Sequence, residues 1–307
     1  MDLSAINPVL LIASLMVSAT PILFAAIGEL VVEKSGVLNL GVEGMMITGA
    51  VVGFVTSVTF GSPLLGFAAA GLASALLSLF FGILTQFLLS NQVATGLALF
   101  LTGLGLSALI GKPYEGMKSA TLPKLDLGPL SDIPVLGRML FSHDIMVYLS
   151  LLLVAGVWAF LKYTRAGLVL RAVGESHDSA HALGYKVQRI RLAAILFGGA
   201  CAGLGGAYIS LVRVPQWTEG MTAGIGWIAL AIVVFASWRP AMVIVGAYLF
   251  GGVNVLQLNL QAAGANVPVA LLSASPFLIT ILVLVVISAR GHHAAPASLG
   301  RPFHATS

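Results

Sequence analysis

The chain has 307 residues, of which 58% are hydrophobic and only 8% charged, with a formal net charge of +4 and a mean hydropathy of +1.02. A soluble domain carries about 25% charged residues, so this chain has too few polar groups to cover a water-facing surface, and most of its surface must face lipid. The composition excludes a soluble enzyme or binding module. The basic residues sit in loops between apolar stretches rather than in a patch interleaved with aromatics, which sets membrane orientation and gives no footprint for nucleic acid.

Apolar stretches of about 20 residues are then the unit of counting. Nine occur, at residues 8–27, 37–58, 64–89, 93–110, 145–161, 192–212, 225–238, 241–260 and 270–289. The first is too long for the core of a secretory signal and has no basic region before it, so it reads as a span. The second carries Asn39, Gly41, Glu43 and Gly44 near its start and is expected to be either a crossing or a broken, re-entrant helix. The third has no charge and, as a helix, would be about 39 Å long. That exceeds the bilayer core, so tilt or overhang follows. The seventh is short and is expected to begin earlier or to be broken. The fold class is therefore all-α, a polytopic membrane protein of eight to ten transmembrane helices.

The loop at 162–191 holds six basic residues against Glu175 and Asp178, which places it in the cytoplasm. Counting outward from it puts 112–144 outside. That segment has four basic and four acidic residues and four prolines, as an external cap would. Nine full passes place the N-terminus outside, and a re-entrant second segment places it inside. Residues 1–290 form the membrane domain, with 162–191 as its cytoplasmic loop and 291–307 as a disordered cytoplasmic tail. Cys201, the lone cysteine, reads as a small packing residue. His292, His293 and His304 fall in the tail, and no metal site is expected.

Glycine and alanine crowd 198–207, and Gly96, Gly103 and Gly105 do the same in the fourth stretch. In lipid, close backbone approach through small residues carries helix association, so these are packing faces. Ionisable groups within apolar stretches are costly and suggest function. Glu29, Glu33 and Lys34 read as a short cytoplasmic turn. Glu43 either caps a broken helix or faces a polar path. Asn254, Gln257 and Gln261 share one helical face and are either packing amides or path-lining groups. Gln216 and Trp217 lie in an outer turn. No His-Glu-x-x-His run, no Gly-x-Ser-x-Gly elbow and no Gly-x4-Gly-Lys-Ser/Thr loop occurs, so neither an intramembrane enzyme nor an ATPase is indicated. An ion-coupled secondary transporter needs intramembrane carboxylates, for which Glu43 is the candidate.

A short helix at 178–184, stopped by Gly184, is expected within the cytoplasmic loop. The run RAVGESHDSAHALG at 171–184 resembles the coupling loop of bacterial ABC importer permeases. Asp178, Ser179 and Ala180, three further residues and Gly184 match that loop's spacing, although His177 and Asp178 stand near where the family usually has an Asn-Pro pair. The run GELVVEKSGVLNLGVEGM at 28–45 resembles the branched-chain amino acid, ribose and nucleoside permeases. With GIGWIALAIVVF at 224–235 and WRP at 238–240, it is most similar to the nucleoside (simple sugar) branch.

The resemblance implies a type II ABC importer permease of the bacterial plasma membrane. It would pair with a second, larger permease subunit above two ABC ATPase subunits, receive a small-molecule substrate from an extracytoplasmic binding protein, and bind no cofactor itself. It implies ATPase coupling through Asp178, Ser179, Ala180 and Gly184, with Arg171, Gly174 and Glu175 leading in. It places Asn39 and Glu43 by the translocation path, joined by Asn254 and Gln257 as path candidates. Nucleoside is the first substrate expectation, a simple sugar the second and a branched-chain amino acid the third.

Overall fold

The computed structural model describes residues 8–125, 136–262 and 295–304, with residues 128, 133, 134, 274, 278, 281, 282 and 285 between them. Its elements are helices: α1 Pro8–Lys34, α2 Val42–Phe60, α3 Pro63–Gln86, α4 Gln92–Gly111, α5 Leu136–Leu140, α6 Ile145–Tyr163, α7 Arg165–Glu175, α8 His177–Ala182, α9 Val187–Tyr208, α10 Ile225–Phe235 and α11 Pro240–Ala262. A π-turn at Ile209–Arg213 lengthens α9. Seven helices among the described residues are long and apolar enough to cross a bilayer, α9 with its π-turn being one of them. The eleven-residue α10 is about 16 Å long and too short to do so alone. The ninth apolar stretch, 270–289, lies largely outside the described residues.

The helices form two shells. α1, α2 and α9 make the centre, where Phe24, Phe54, Met45 and Tyr208 are fully buried. α3, α4, α6 and α11 surround them and point Leu72, Leu76, Leu101, Leu152 and Leu258 outward, as lipid-facing helices do. Small residues bring the central helices together. A methyl group on Gly206 of α9 would strike the Met46 carbonyl of α2, and one on Gly44 of α2 would lie 2.7 Å from the Leu99 carbonyl of α4. The expected packing role of these stretches is thus seen as direct backbone approach.

Two groups of loops mark the two ends of the bundle. At one end Gln188 Nε2 donates to the Gln86 carbonyl (3.0 Å), the Leu38 N–H donates to Gln92 Oε1 (2.8 Å), and the Gly300 N–H donates to the Gly36 carbonyl (3.2 Å). This end carries the basic 162–191 loop and is the one expected on the cytoplasmic side by the positive-inside rule. At the other end the Ser57 and Ser119 hydroxyls meet at 2.7 Å, Lys118 pairs with Gln216, and Tyr208 donates to Asp144 (2.8 Å). α1 begins at this outer end, because Leu10 lines the same cavity as Lys124 and His143.

The structure corrects two expectations. Glu29 and Glu33 are not in a solvated turn; both belong to α1 and are 1% exposed. The tail is not disordered throughout its length: residues 295–304 lie docked on the cytoplasmic end, with Ser298 and Phe303 buried. A short apolar cluster and backbone hydrogen bonds hold it there, and neither leaves a periodic sequence signal.

Candidate functional site

The central feature is a corner where the chain turns back into the membrane. α1 ends at Lys34, and Gly36 adopts a left-handed conformation (φ 89°) that L side chains disfavour. Residues 37–41 then run back upward without helical structure. Asn39 Nδ2 donates to Glu29 Oε2 (3.3 Å), so Asn39 lies beside a residue more than a turn before the end of α1. Asn39 Oδ1 accepts the Gly41 N–H (3.0 Å), which shapes the entry to α2.

Glu43, in the first turn of α2, is 3% exposed and caps a different helix from its own. Its Oε1 accepts from the Thr222 hydroxyl (2.6 Å) and the Gly224 N–H (2.9 Å), and its Oε2 accepts from the Gly226 N–H (2.6 Å). These donors sit at the start of α10, where N–H groups have no helical partner and the helix dipole favours an anion. A charge at membrane depth is tolerated because each oxygen is paired. Ala223 (φ 46°) and Gly224 (φ 83°) are left-handed in succession just before α10, and Ser237 (φ 48°) and Trp238 (φ 54°) just after it. Such strain in non-glycine residues persists only where the surroundings enforce it. At the far end of α10 the enforcing contact is the Trp238 indole N–H, which donates to Glu33 Oε2. α10 is therefore pinned at both ends by carboxylates of the α1–α2 corner. Between them, buried Glu29 Oε1 has no hydrogen-bond partner among the described residues.

A cavity of about 820 Å³ opens at the outer end, lined by Ser14, Ser18, Lys124, His143, Asp144 and Arg213 and closed on one side by Val255 and Leu258 of α11. Asn254 and Gln257 occupy neighbouring half-buried positions on α11. The structure does not bring them to Asn39 and Glu43. Gly251, one turn before Asn254, packs against Ala19 in the outer part of α1.

The cytoplasmic residues gather at α7 and α8. The Ser176 hydroxyl caps α8 by accepting the Ser179 N–H (3.3 Å). The helix ends at Ala182, slightly earlier than expected, with Gly184 left-handed (φ 86°) and its N–H on the His181 carbonyl (2.8 Å). Asp178, Ser179 and Gly184 are exposed, as are Leu183 (78%) and Tyr185, whereas His177 and Ala180 are buried. Glu175 is exposed and Arg171 half-buried. A methyl group on Gly174 would collide with the Lys34 carbonyl, so α7 packs directly on the end of α1.

Sequence reasoning missed Arg191, read only as a topology signal. It is fully buried: its Nε donates to the Ser35 carbonyl (3.1 Å), its Nη1 donates to the Arg301 carbonyl (3.1 Å), and its Nη2 lies 3.2 Å from His177 Nδ1. His177 Nδ1 must accept there, since a guanidinium can only donate. Burial, and then the Arg191 charge, holds the His177 imidazole below its ordinary range. Thr222 and Gly226 were also missed, although a Thr-x-Gly-x-Gly run before an eleven-residue apolar stretch is a readable sign of a broken crossing.

Among the described residues no group of three or more His, Cys, Asp or Glu side chains is arranged to hold a metal. A many-crossing helical bundle whose broken crossings meet inside the bilayer, around paired polar groups, has the build of a membrane transport protein. The chain belongs to the family described as branched-chain amino acid transport system / permease component, whose model matches residues 11–287. It is thus an ABC transporter permease, a multi-pass protein of the cytoplasmic membrane.

It is 41% identical to a Haloferax volcanii protein named "Putative glucose ABC transporter permease protein", over 87% of this chain and 88% of that one. It is 32% identical to a guanosine ABC transporter permease protein of Bacillus subtilis, over 99% and 98% of the two chains. A second guanosine permease protein of Bacillus subtilis is 25% identical over 88% of this chain and 78% of its own length. No solved structure matches the chain.

Proposed function

We propose that this protein is one of two different permease subunits of an ATP-driven importer for nucleosides. A separate ABC ATPase would supply the energy through α8. The observation that carries this reading is the form of α8. It is a six-residue helix at the basic end, fixed by His177 and Ala180 on one side and presenting Asp178, Ser179, Leu183 and Gly184 to the cytoplasm. A protein driven by a soluble motor needs such a handle, and Arg171, Gly174 and Glu175 connect it to the bundle. Glu43 would govern the path by holding α10 across it, with Asn39 shaping the corner that presents Glu43, and Asn254 and Gln257 would border the outer cavity. Alternating access then follows if ATPase closure biases two arrangements of the corner.

Two subunits of different kinds are favoured because one organism, Bacillus subtilis, has two guanosine permease proteins similar to this chain. This chain spans 98% of the more similar one and 78% of the other, which points to a second, larger permease. The guanosine relatives favour a nucleoside. A simple sugar is the second reading, favoured by the 41% identical glucose relative. The substrate would arrive from an extracytoplasmic binding protein.

The test is purification of the tagged chain from its native neighbourhood, followed by reconstitution in vesicles. The reading expects an ATPase, a second permease and a binding protein, with ATP-dependent uptake of a nucleoside. Glucose uptake alone would select the sugar reading. A chain that purifies alone and takes up solute on an ion gradient without ATP would be a secondary transporter.

A further inference from the structure

Residues 295–304 make an unusual set of contacts for the end of a chain. The Ser298 N–H donates to the Gly174 carbonyl (2.9 Å), and the His177 N–H donates to Ser298 Oγ (3.3 Å). The Gly300 N–H reaches the Gly36 carbonyl (3.2 Å). Phe303, 4% exposed, lies edge-on to both the His177 ring (5.4 Å) and the His181 ring (5.2 Å), and it completes a small cluster with Val173, Ala180 and Val187. These ten residues bridge the α7–α8 junction to the corner that follows α1.

Arg191 ties the same parts from within. Its three contacts go to three segments: Ser35 at the end of α1, His177 at the start of α8, and Arg301 of the C-terminal segment. Ser35 carries one of the carbonyls left free at a helix C-terminus, where a cation is favoured. Only residues 36–42 separate Ser35 from Glu43 and its cap on α10. A six-residue helix with two buried positions has little area to hold it in place. A loosely held α8 would absorb an applied movement, and a fastened one passes it on.

We propose that residues 295–304 form a strap that fastens α8 to the α1–α2 corner, with Arg191 as the positioning residue that carries movement of α8 to the Glu43–α10 junction. This rests on the reading of α8 as the ATPase contact. The C-terminal segment is then part of the coupling machinery, although it lies at the opposite end from the outer cavity and leaves Asp178, Ser179, Leu183 and Gly184 exposed.

The test uses the full complex in vesicles and reads three quantities: ATPase subunit retained, ATP hydrolysed, and solute taken up per ATP. The variants are a chain ended at Ala294, Phe303→Ala, Phe303→Leu and Arg191→Lys. The strap expects the truncation, Phe303→Ala and Arg191→Lys to retain the ATPase and hydrolysis while uptake per ATP falls about tenfold, within the usual range of a coupling free energy. Phe303→Leu, which keeps an apolar plug, restores most of it.

Unchanged uptake per ATP in Phe303→Ala and Arg191→Lys overturns the proposal, whether or not the truncated chain folds. So does loss of the ATPase from those two variants, which makes the segment a structural dock. Leu183→Asp separates the underlying reading. It alters only the exposed tip and is expected to release the ATPase. If the ATPase stays bound and coupled in that variant, α8 is not its contact, whatever the strap variants do.

Discussion

The intramembrane junction and the cytoplasmic junction solve one problem with opposite charges. Inside the bilayer, α10 starts with unpaired N–H groups, and the Glu43 carboxylate collects two of them with a hydroxyl. At the cytoplasmic end, α1 stops with unpaired carbonyls, and the Arg191 guanidinium collects the one on Ser35, with a second carbonyl from Arg301 and the His177 ring. Each charge comes from an element other than the helix it completes. Helix ends buried in protein cannot pass their orphan groups to water, so a neighbour must supply the partner, and that neighbour is thereby tied to the break. The comparison teaches that the breaks are the joints of the protein, and that the charges at them are fasteners.

The largest effect should come from unfastening the buried joint. Glu43→Ala leaves two buried N–H groups and a hydroxyl unsatisfied at about 1–3 kcal/mol each. Thermal melting in detergent should drop sharply, and uptake should be lost. A Glu43→Ala protein that melts like the parent would mean that the carboxylate does not hold α10.

Gly184→Pro should act at the other joint with a smaller cost to the fold. Proline cannot reach a φ of 86° and removes the N–H given to His181. The variant should insert and melt almost normally, because Gly184 is exposed with open space around it, while ATP hydrolysis and uptake separate. Normal uptake in that variant would detach α8 from coupling and leave the two joints mechanically unrelated.

The smallest effect is expected from acid, and it distinguishes the joints by chemistry. His177 is held neutral by burial and by Arg191; Asp178 opposes that shift and Arg301 adds to it. Its folded pKa lies below the unfolded value of about 6.5. The unfolded state therefore takes up more protons, and the stability of this joint is full above that value and declines as pH falls below it. A proton on Nδ1 also removes the acceptor for Arg191. Uptake per ATP should fall modestly from pH 7.5 to pH 5.5, and His177→Asn should flatten that change. An identical pH profile in the variant would remove His177 from the joint.

Much of this was legible in the residues themselves. The apolar stretches located the crossings, and the basic 162–191 loop gave their expected orientation. Asn39, Gly41 and Glu43 announced a break near the start of the second crossing, and Gly184 announced the stop after α8. The illegible parts were long-range pairings. Glu43 offered two readings, a cap or a path-lining group, and its partners lie at Thr222, Gly224 and Gly226, far along the chain. Arg191 looked like one positive charge among six in its loop. Glu29 and Glu33 next to Lys34 had the composition of a solvated turn, and only the return of residues 37–41 beside Glu29 and the packing of Trp238 on Glu33 bury them. Residues 295–304 carry no periodic pattern, because a strap is held by backbone groups and a single aromatic ring.

The permease family was signalled by a resemblance of motifs, and by itself the sequence determined that this protein lives in a membrane, crosses it many times and gathers its basic charge in one loop. Those follow from hydropathy, charge and local spacing, which act within a few residues of one another. The tertiary structure alone decided which helices are central, since lipid and protein interior are equally apolar and Leu suits both. It also decided which carboxylate caps which helix and what the end of the chain is fastened to. A buried charge is acceptable only where its partners converge, and convergence is a property of the folded chain.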